Sequence, residues 1–314
     1  MTSAHIQKRQ DGRYYTEGNP FVLKPFHSWA DSISLKKEKI LEPFAGANNI
    51  IRALQSEGYA DSFTSFDIVP ADSKVFKLDT ITNFPKGFNV CVTNPPWLAK
   101  NSAHRRGLDY PETIYDDLYK HTLSLCLENC QNVAALIPAT FLQSELFLDR
   151  LDSVIFLHDK GMFSDTENPV CLSLFKKSSS DVQIFYDEEH VGTLNQLKSH
   201  LPQAKTPMNL TFNDPKGRLG FIAFDNTEKP SIRFCEGKEL EDYDIVHTSR
   251  MITRIGGDFG NVRDIIGFLN EQISDFRKAT HDVFLTPFKG LRKDGMYRRR
   301  MDYRLARDFI TSYV

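Results

Sequence analysis

Up to about Lys177 the sequence alternates short apolar runs with stretches of helical periodicity. Strands that alternate with helices pair in parallel, because a parallel connection needs a crossover long enough to hold a helix. Residues 39–42 (KILE) read as a first strand, 49–57 as the helix after it and 62–68 (SFTSFDI) as a second strand. Residues 90–93 (VCVT) read as another buried strand, 115–129 as a helix and 133–137 (VAALI) as a further strand. Residues 154–157 and 170–175 (VCLSLF) form a late pair of strands. The pattern predicts an α/β fold with a mostly parallel sheet and a C-terminal hairpin strand.

Beyond Lys177 the rhythm breaks at SSS and at YDEEH, and Pro202, Pro207, Pro215 and Pro230 follow without βαβ spacing. A boundary near residues 180–195 is expected, written as a first domain over residues 1–185 and a smaller one over 186–314. A helix over residues 262–279 is the clearest element of the second part; Ile265, Ile266, Leu269, Ile273 and Phe276 recur at helical spacing, as in a core-packing helix. The formal net charge of -2 argues against a chain coated in basic side chains, but its distribution is uneven. Residues 181–244 carry 12 acidic and 7 basic side chains, whereas residues 289–314 carry 8 basic against 3 acidic. Apolar runs such as residues 133–137 are far short of the roughly 20 residues of a membrane helix, so a cytoplasmic protein without membrane partner is expected. Five cysteines without a C-x-x-C point to neither disulfides nor a metal site.

Four segments carry chemistry. In VTNPPW (residues 92–97) a buried strand runs into an amide, two prolines and an aromatic. The prolines fix the backbone and remove N–H donors, so the turn carbonyls are held rigid. The Asn94 oxygen and the adjacent carbonyl offer two acceptors, which suits a planar NH2 group, and Trp97 offers a flat face for a ring. In LEPFAGANNI (residues 41–50) a strand end, an acid and a turn of small residues precede a helix, allowing close approach of backbone to a ligand. It matches neither G-x-G-x-x-G nor a P-loop. Asp67 ends the second strand, where a carboxylate can accept from ribose hydroxyls, and Asp79 follows in LD. The intervals from Glu42 to Asp67, Asp79 and Asn94 are 25, 12 and 15 residues.

With these residues in this order, the chain resembles the S-adenosylmethionine-dependent N6-adenine DNA methyltransferases over roughly residues 14–177, with NPPW as the catalytic tetrapeptide. The resemblance implies a Rossmann-like class I methyltransferase domain followed by a C-terminal recognition domain. It assigns Tyr15 and Thr16 to a segment that contacts the methionine end of the cofactor. Glu42, Phe44 and Gly46 match the first cofactor motif, Asp67 and Ile68 the ribose and adenine motif, and Asp79 the adenine-amino motif, with Asn94 at the border of cofactor and target. Asn48 stands where the family usually has a second glycine; asparagine tolerates left-handed backbone better than most residues. The motif order resembles the γ arrangement, which puts target recognition C-terminal.

The resemblance also implies the reaction. Adenine is rotated out of the duplex and held between aromatic faces, here Trp97 and Phe163, with Met162 and Phe141 as alternatives to the latter. Asn94 and the Pro95 carbonyl accept the two N6 hydrogens, Pro96 stiffens the turn, and no strong base is needed. Lys100, Arg105 and Arg106, just after the tetrapeptide, and Arg298, Arg299 and Arg300 in the tail are the expected phosphate contacts, a solvated face being the other reading of the tail. The expected partner is double-stranded DNA, in a bacterial or phage setting, the protein being either an orphan modification enzyme or part of a restriction-modification system whose cognate endonuclease acts separately. The alternatives are an RNA adenine or a protein glutamine as acceptor, or a cofactor-binding nucleic-acid module without catalysis.

Overall fold

The computed structural model describes residues 16, 18–158, 168–204 and 207–313; Tyr15, Met162 and Phe163 lie outside them. The chain divides into two compact units, Met1–Thr193 and Leu194–Val314.

In the first unit, α1 (Lys24–Ser32) starts with Pro25 in its first turn, where the missing N–H costs nothing, and buries Phe26, Trp29 and Ala30. The strands are β1 (Ile40–Glu42), β2 (Phe63–Asp67), β3 (Val75–Lys77), β4 (Val90–Thr93), β5 (Asn132–Pro138), β6 (Leu151–Leu157), β7 (Val170–Phe175), β8 (Gln183–Tyr186) and β9 (Glu189–Thr193). Between them lie α2 (Asn49–Ser56), α3 (Lys100–Arg106) and α4 (Leu118–Asn129). The nine strands form one sheet in the order β3-β2-β1-β4-β5-β7-β6-β8-β9. Pairing is parallel from β3 through β5, and β7 inserts antiparallel to both β5 and β6. This is a mixed α/β arrangement with a mostly parallel central sheet and a late antiparallel hairpin strand. β1, β4 and β7 are buried along their whole length, which is why they read as continuous apolar runs rather than as alternation.

After β1 the chain moves outward to β2 and β3, then returns to the other side of β1 as β4. The strand order therefore reverses between β1 and β4, and the crevice beyond their carboxyl ends is where a sheet of this kind holds a ligand. Glu42 ends β1, Asp67 ends β2 and Asn94 follows β4 directly, so topology brings these three to one edge.

Two sequence expectations differ from the fold. The helix expected over 115–129 begins at Leu118, because the Asp117 side chain caps it by accepting from Tyr119 N. The change of character expected at 185/186 falls inside a hairpin: β8 pairs with β6, β9 with β8, and Asp187 turns the chain with φ 49°. The acidic run is thus the tip of a hairpin that extends the first sheet.

The second unit comprises α5 (Leu194–Lys198), β10 (Thr211–Phe212), β11 (Leu219–Ile222), β12 (Arg233–Glu236), β13 (Ile252–Gly256), α6 (Val262–Thr280), β14 (Thr286–Leu291), β15 (Tyr297–Arg300) and α7 (Tyr303–Ser312). β10 to β13 form a four-stranded antiparallel sheet in the order β10-β13-β11-β12; β14 and β15 form a hairpin. One stripe of α6, made of Ile265, Leu269, Ile273 and Phe276, is buried with Phe221, Phe234 and Phe309, as the helical spacing implied.

Asp225, fully buried in this unit, accepts Arg277 Nη1 and Nη2 at 2.7 and 2.8 Å and Arg292 Nη1 at 2.8 Å. Its Oδ1 also takes the Ser231 amide at 2.7 Å. Asp282 completes the set by accepting Arg277 Nε and Nη2, both at 2.7 Å. Burial pushes the Asp225 carboxyl up, but the hydrogen bonds and charge of Arg277, the Ser231 amide and Arg292 outweigh it and hold the group below the ordinary carboxylate range.

Candidate active site

The turn after β1 is tied to β2 and the loop after it by three contacts. Ala45 N donates to Phe66 O at 2.9 Å, Gly46 N to Asp67 Oδ2 at 2.8 Å and Ala71 N to Gly46 O at 3.0 Å. Gly46 is left-handed with φ 52°, and Asn48 with φ 63°. Asn48 thus takes the backbone conformation that a glycine would supply. Its side chain adds a lock no glycine has, accepting Ser65 Oγ at 2.7 Å.

Glu42 is 0% exposed, and its Oε1 accepts both Phe44 N at 3.0 Å and Thr93 Oγ1 at 2.7 Å. Oε2 is buried and has no hydrogen-bond partner among the described residues. Burial pushes this carboxyl up to about 8, outweighing the Thr93 and Phe44 bonds that favour the ionised form, with the nearby Asp67 charge adding to the rise. An unmatched buried carboxyl oxygen at the switch point suits a cationic N–H donor, such as the amino group of an amino-acid moiety. The sign for stability follows. Between about 4.5 and about 8 the folded chain keeps a proton on Glu42 that the unfolded chain has released, so its contribution to stability falls as pH rises through this window. Glu42→Gln, which can keep both Oε1 bonds, should raise the thermal midpoint of the ligand-free protein above pH 8 and leave it unchanged near pH 4. The same rise at both pH values would show that the carboxyl is not neutral in the fold.

Asp67 is 8% exposed; besides Gly46 N it accepts Val69 N at 2.8 Å, one amide on each oxygen. Each oxygen has a second lone pair for a hydroxyl. Ile68 beside it is an apolar side chain that is half exposed. Asp79 Oδ1 accepts Ile81 N at 3.0 Å and Thr82 N at 3.4 Å, so one oxygen caps a turn. Its neighbour Thr80 donates to Pro43 O at 2.8 Å, which brings the Asp79 loop against the β1 turn.

At the end of β4, Asn94 is half-buried, and its Nδ2 donates to Thr16 Oγ1 at 3.3 Å. Asn49 Nδ2, at the start of α2, donates to Thr16 O at 2.8 Å. The described part of the N-terminal segment thus reaches the edge that holds Glu42 and Asn94. Pro95 is buried and Pro96 half-buried. Trp97 is 7% exposed, so the ring assigned to stacking is mostly covered by packing. Phe141, an alternative to Phe163, is a core residue, edge-on to Tyr119 and Phe175. The Asp117 carboxyl accepts Leu98 N at 3.2 Å and so braces the segment after the tetrapeptide; burial pushes it up to about 6 against the Tyr119 and Leu98 amides.

Lys100, Arg105 and Arg106 lie on α3. Lys100 Nζ is 5.9 Å from the Tyr110 ring centre, and Arg105 and Arg106 are exposed, with Arg105 donating to Asn101 O and Ser102 Oγ at 3.3 Å. The tail arginines do not share one face. They sit on β15, where strand alternation turns Arg299 inward to 2% exposure, so it is not part of a surface patch. Arg298 lies over Phe288 at 4.8 Å and donates to Asp225 O at 2.8 Å; Arg300 is half-buried.

The sequence reading passed over Thr93, Asn49, Thr80 and Asp117. A threonine inside VCVT and an aspartate just before an apolar helical run were the available signals for two of them. Among the described residues, no cluster of His, Cys, Asp or Glu could hold a metal ion, and the five cysteines are buried free thiols.

No protein-family model matches the chain, and no curated protein matches it. Among solved structures, the chain is similar to a Listeria monocytogenes protein described as a class I S-adenosylmethionine-dependent methyltransferase, at 12% identity and TM-score 0.36 over 58% of this chain and 70% of that one. It is also similar to the methyltransferase subunit of a type I restriction-modification system from Streptococcus thermophilus, at 17% identity and TM-score 0.37 over 55% of this chain and 47% of that one. A third is a modification subunit of a type I restriction enzyme from Vibrio vulnificus, at 13% identity and TM-score 0.36 over 55% of this chain. The chain spans 47% of that subunit, about half its length.

Proposed function

We propose that the protein transfers a methyl group from S-adenosylmethionine to the N6 amino group of an adenine rotated out of double-stranded DNA. The observation that carries this reading is the pairing at the switch point. Glu42, with its unmatched oxygen, is linked through Thr93 to the strand that delivers Asn94.

Glu42 Oε2, the Gly46 turn, Asp67 and Ile68 would hold the cofactor, with Asp79 at its adenine end. The unmatched Glu42 oxygen is the feature of the fold that fits it. When bound, the cofactor supplies the methyl group. The chain has three tasks. The Asn94 oxygen and the Pro95 carbonyl accept the two hydrogens of the target amine, turning its lone pair outward. Acceptors fixed before the reaction stabilise the positive charge that grows on that nitrogen. After transfer the methylated amine is cationic and gives its extra proton to solvent water, so no strong base is required. The second unit would select the target, and Lys100, Arg105 and Arg106 would contact phosphates beside the rotated base. On this reading the protein would be a cytoplasmic modification enzyme, either of a restriction-modification system or acting as an orphan.

Asp67→Ala should weaken cofactor binding by about 1.5–3 kcal/mol, the loss of hydrogen bonds to a charged acceptor. Calorimetric affinity measured beside a thermal melt separates this from loosening of the Gly46 turn; an unchanged dissociation constant would remove Asp67 from the cofactor site.

The reading as a whole is tested by offering cofactor labelled in its methyl group to duplex DNA, RNA and protein in parallel. Label in duplex DNA is expected. Label only in RNA or only in protein would replace the acceptor class, and label in none, with the cofactor bound, would overturn the activity.

A further inference from the structure

Pro95 and Pro96 have no N–H, so the ladder of the sheet cannot continue through them. The last pairing of β4 with β5 is Thr93 with Ala135. Beyond the prolines, residues 98–100 are stitched to residues 116–118. Leu118 N donates to Leu98 O at 3.0 Å, Lys100 N donates to Asp116 O at 2.9 Å, and Ala99 forms an antiparallel bridge with Asp117. One side chain joins this stitching. Asp117 Oδ1 accepts Leu98 N at 3.2 Å and, at 3.4 Å, Tyr119 N in the first turn of α4. A single oxygen therefore ties the exit of the proline turn to the start of a helix whose Leu123, Cys126 and Leu127 are buried.

The direction of both bonds is fixed by chemistry. A backbone amide donates and cannot accept, and an ionised carboxyl accepts and cannot donate. Burial pushes the Asp117 carboxyl up to about 6, so at pH 8 it is ionised. Leu98 is also packed with Ala103 and Leu118 in a small apolar cluster, which keeps its amide close to the helix start.

We infer that Asp117 is a positioning residue for the tetrapeptide: by holding the Leu98 amide it fixes the exit of the proline turn, and with it the Pro95 carbonyl. This rests on the reading of that turn as the group that holds the target amine. Asp117 acts through the Leu98 backbone, not by touching the acceptor.

A helix cap alone would also explain the bond to Tyr119, so the test separates cap from brace. Glycine serves nearly as well as aspartate at an N-cap but has no oxygen for Leu98, whereas asparagine keeps an acceptor for both amides. Rates are measured at pH 8, well below the melting temperature, with cofactor and mixed-sequence duplex DNA saturating. Asp117→Gly should lower kcat about 10-fold, short of the roughly 10²-fold that a misplacement of 1 Å can cost, with cofactor affinity unchanged. Asp117→Asn should recover most of the rate. Labelling leucine with 15N reports the brace without any turnover. Hydrogen exchange at the Leu98 amide should be about 10-fold faster in Asp117→Gly than in wild type or Asp117→Asn, while Leu123 and Leu127 in α4 keep their wild-type rates. A wild-type kcat for Asp117→Gly, or an Asp117→Asn protein as slow as Asp117→Gly, would overturn the inference. So would faster exchange at Leu123 and Leu127 together with Leu98, because Asp117 would then only cap the helix. If the wild-type protein methylates nothing, the functional reading fails on its own, and Leu98 exchange decides the brace by itself: faster exchange in Asp117→Gly supports it and equal rates overturn it.

Discussion

Asn94→Ala should reduce single-turnover methyl transfer by about 10²–10³-fold, comparable to removal of one preorganised group at a charge-developing centre. Cofactor affinity should change by less than about threefold, under 0.7 kcal/mol. The asymmetry is the point of the prediction. Asn94 follows the last residue of β4, and its Nδ2 donates to Thr16, whereas Glu42 and Asp67 end β1 and β2. On the proposed reading, removing the amide deletes an acceptor for the target amine and leaves the Glu42 and Asp67 contacts intact. Pre-steady-state quench of labelled transfer, with calorimetry on the same protein, separates the two effects. A rate within about tenfold of wild type, less than about 1.4 kcal/mol of barrier, would take Asn94 out of the reaction.

Asp225→Ala should destabilise the second unit by about 3–5 kcal/mol, because it leaves two buried guanidinium groups without their shared carboxylate. Arg277 gives that carboxylate two hydrogen bonds and Arg292 a third, and both arginines are nearly fully buried. Arg277 retains Asp282, and Arg292 retains Asp294, so the unit should still fold with a lower midpoint. The pH dependence has a definite sign. The Asp225 carboxyl is held below its ordinary range, so its stabilisation is fully present above the unfolded value near 3.8 and is lost as pH falls through the lower, folded value. Urea unfolding of wild type and variant at pH 7 measures the difference. A loss under about 1 kcal/mol would show that the cluster is solvated and not structural.

The parts of the fold that were legible in sequence are those whose burial is uniform. Residues 90–93 and 170–175 are continuous apolar runs because they are covered on both faces, and they lie where the pattern placed them. β3 was not legible: it is three residues long, and two of them, Phe76 and Lys77, are exposed. The exposed acidic tip of the β8–β9 hairpin interrupts the apolar rhythm, which is why the pattern places the division at 185/186 and not after β9. The edge holding Glu42, Asp67 and Asn94 could be read from residue type and interval. The supports of that edge could not, since Thr16 to Asn94 and Thr93 to Glu42 are contacts between distant segments that only the topology brings together. The arginine triplet shows the reverse error. Charge counting sees three equal cations, while a strand's period of two turns the middle one, Arg299, into the protein.

The most direct measurement is nucleoside analysis by mass spectrometry of duplex DNA incubated with the protein and S-adenosylmethionine. Wild-type protein should produce N6-methyladenine as the only new methylated nucleoside, and Asn94→Ala, bound to the same cofactor, should produce at most about a hundredth as much. Methyl groups on another base, or equal N6-methyladenine from the Asn94→Ala protein, would contradict the account.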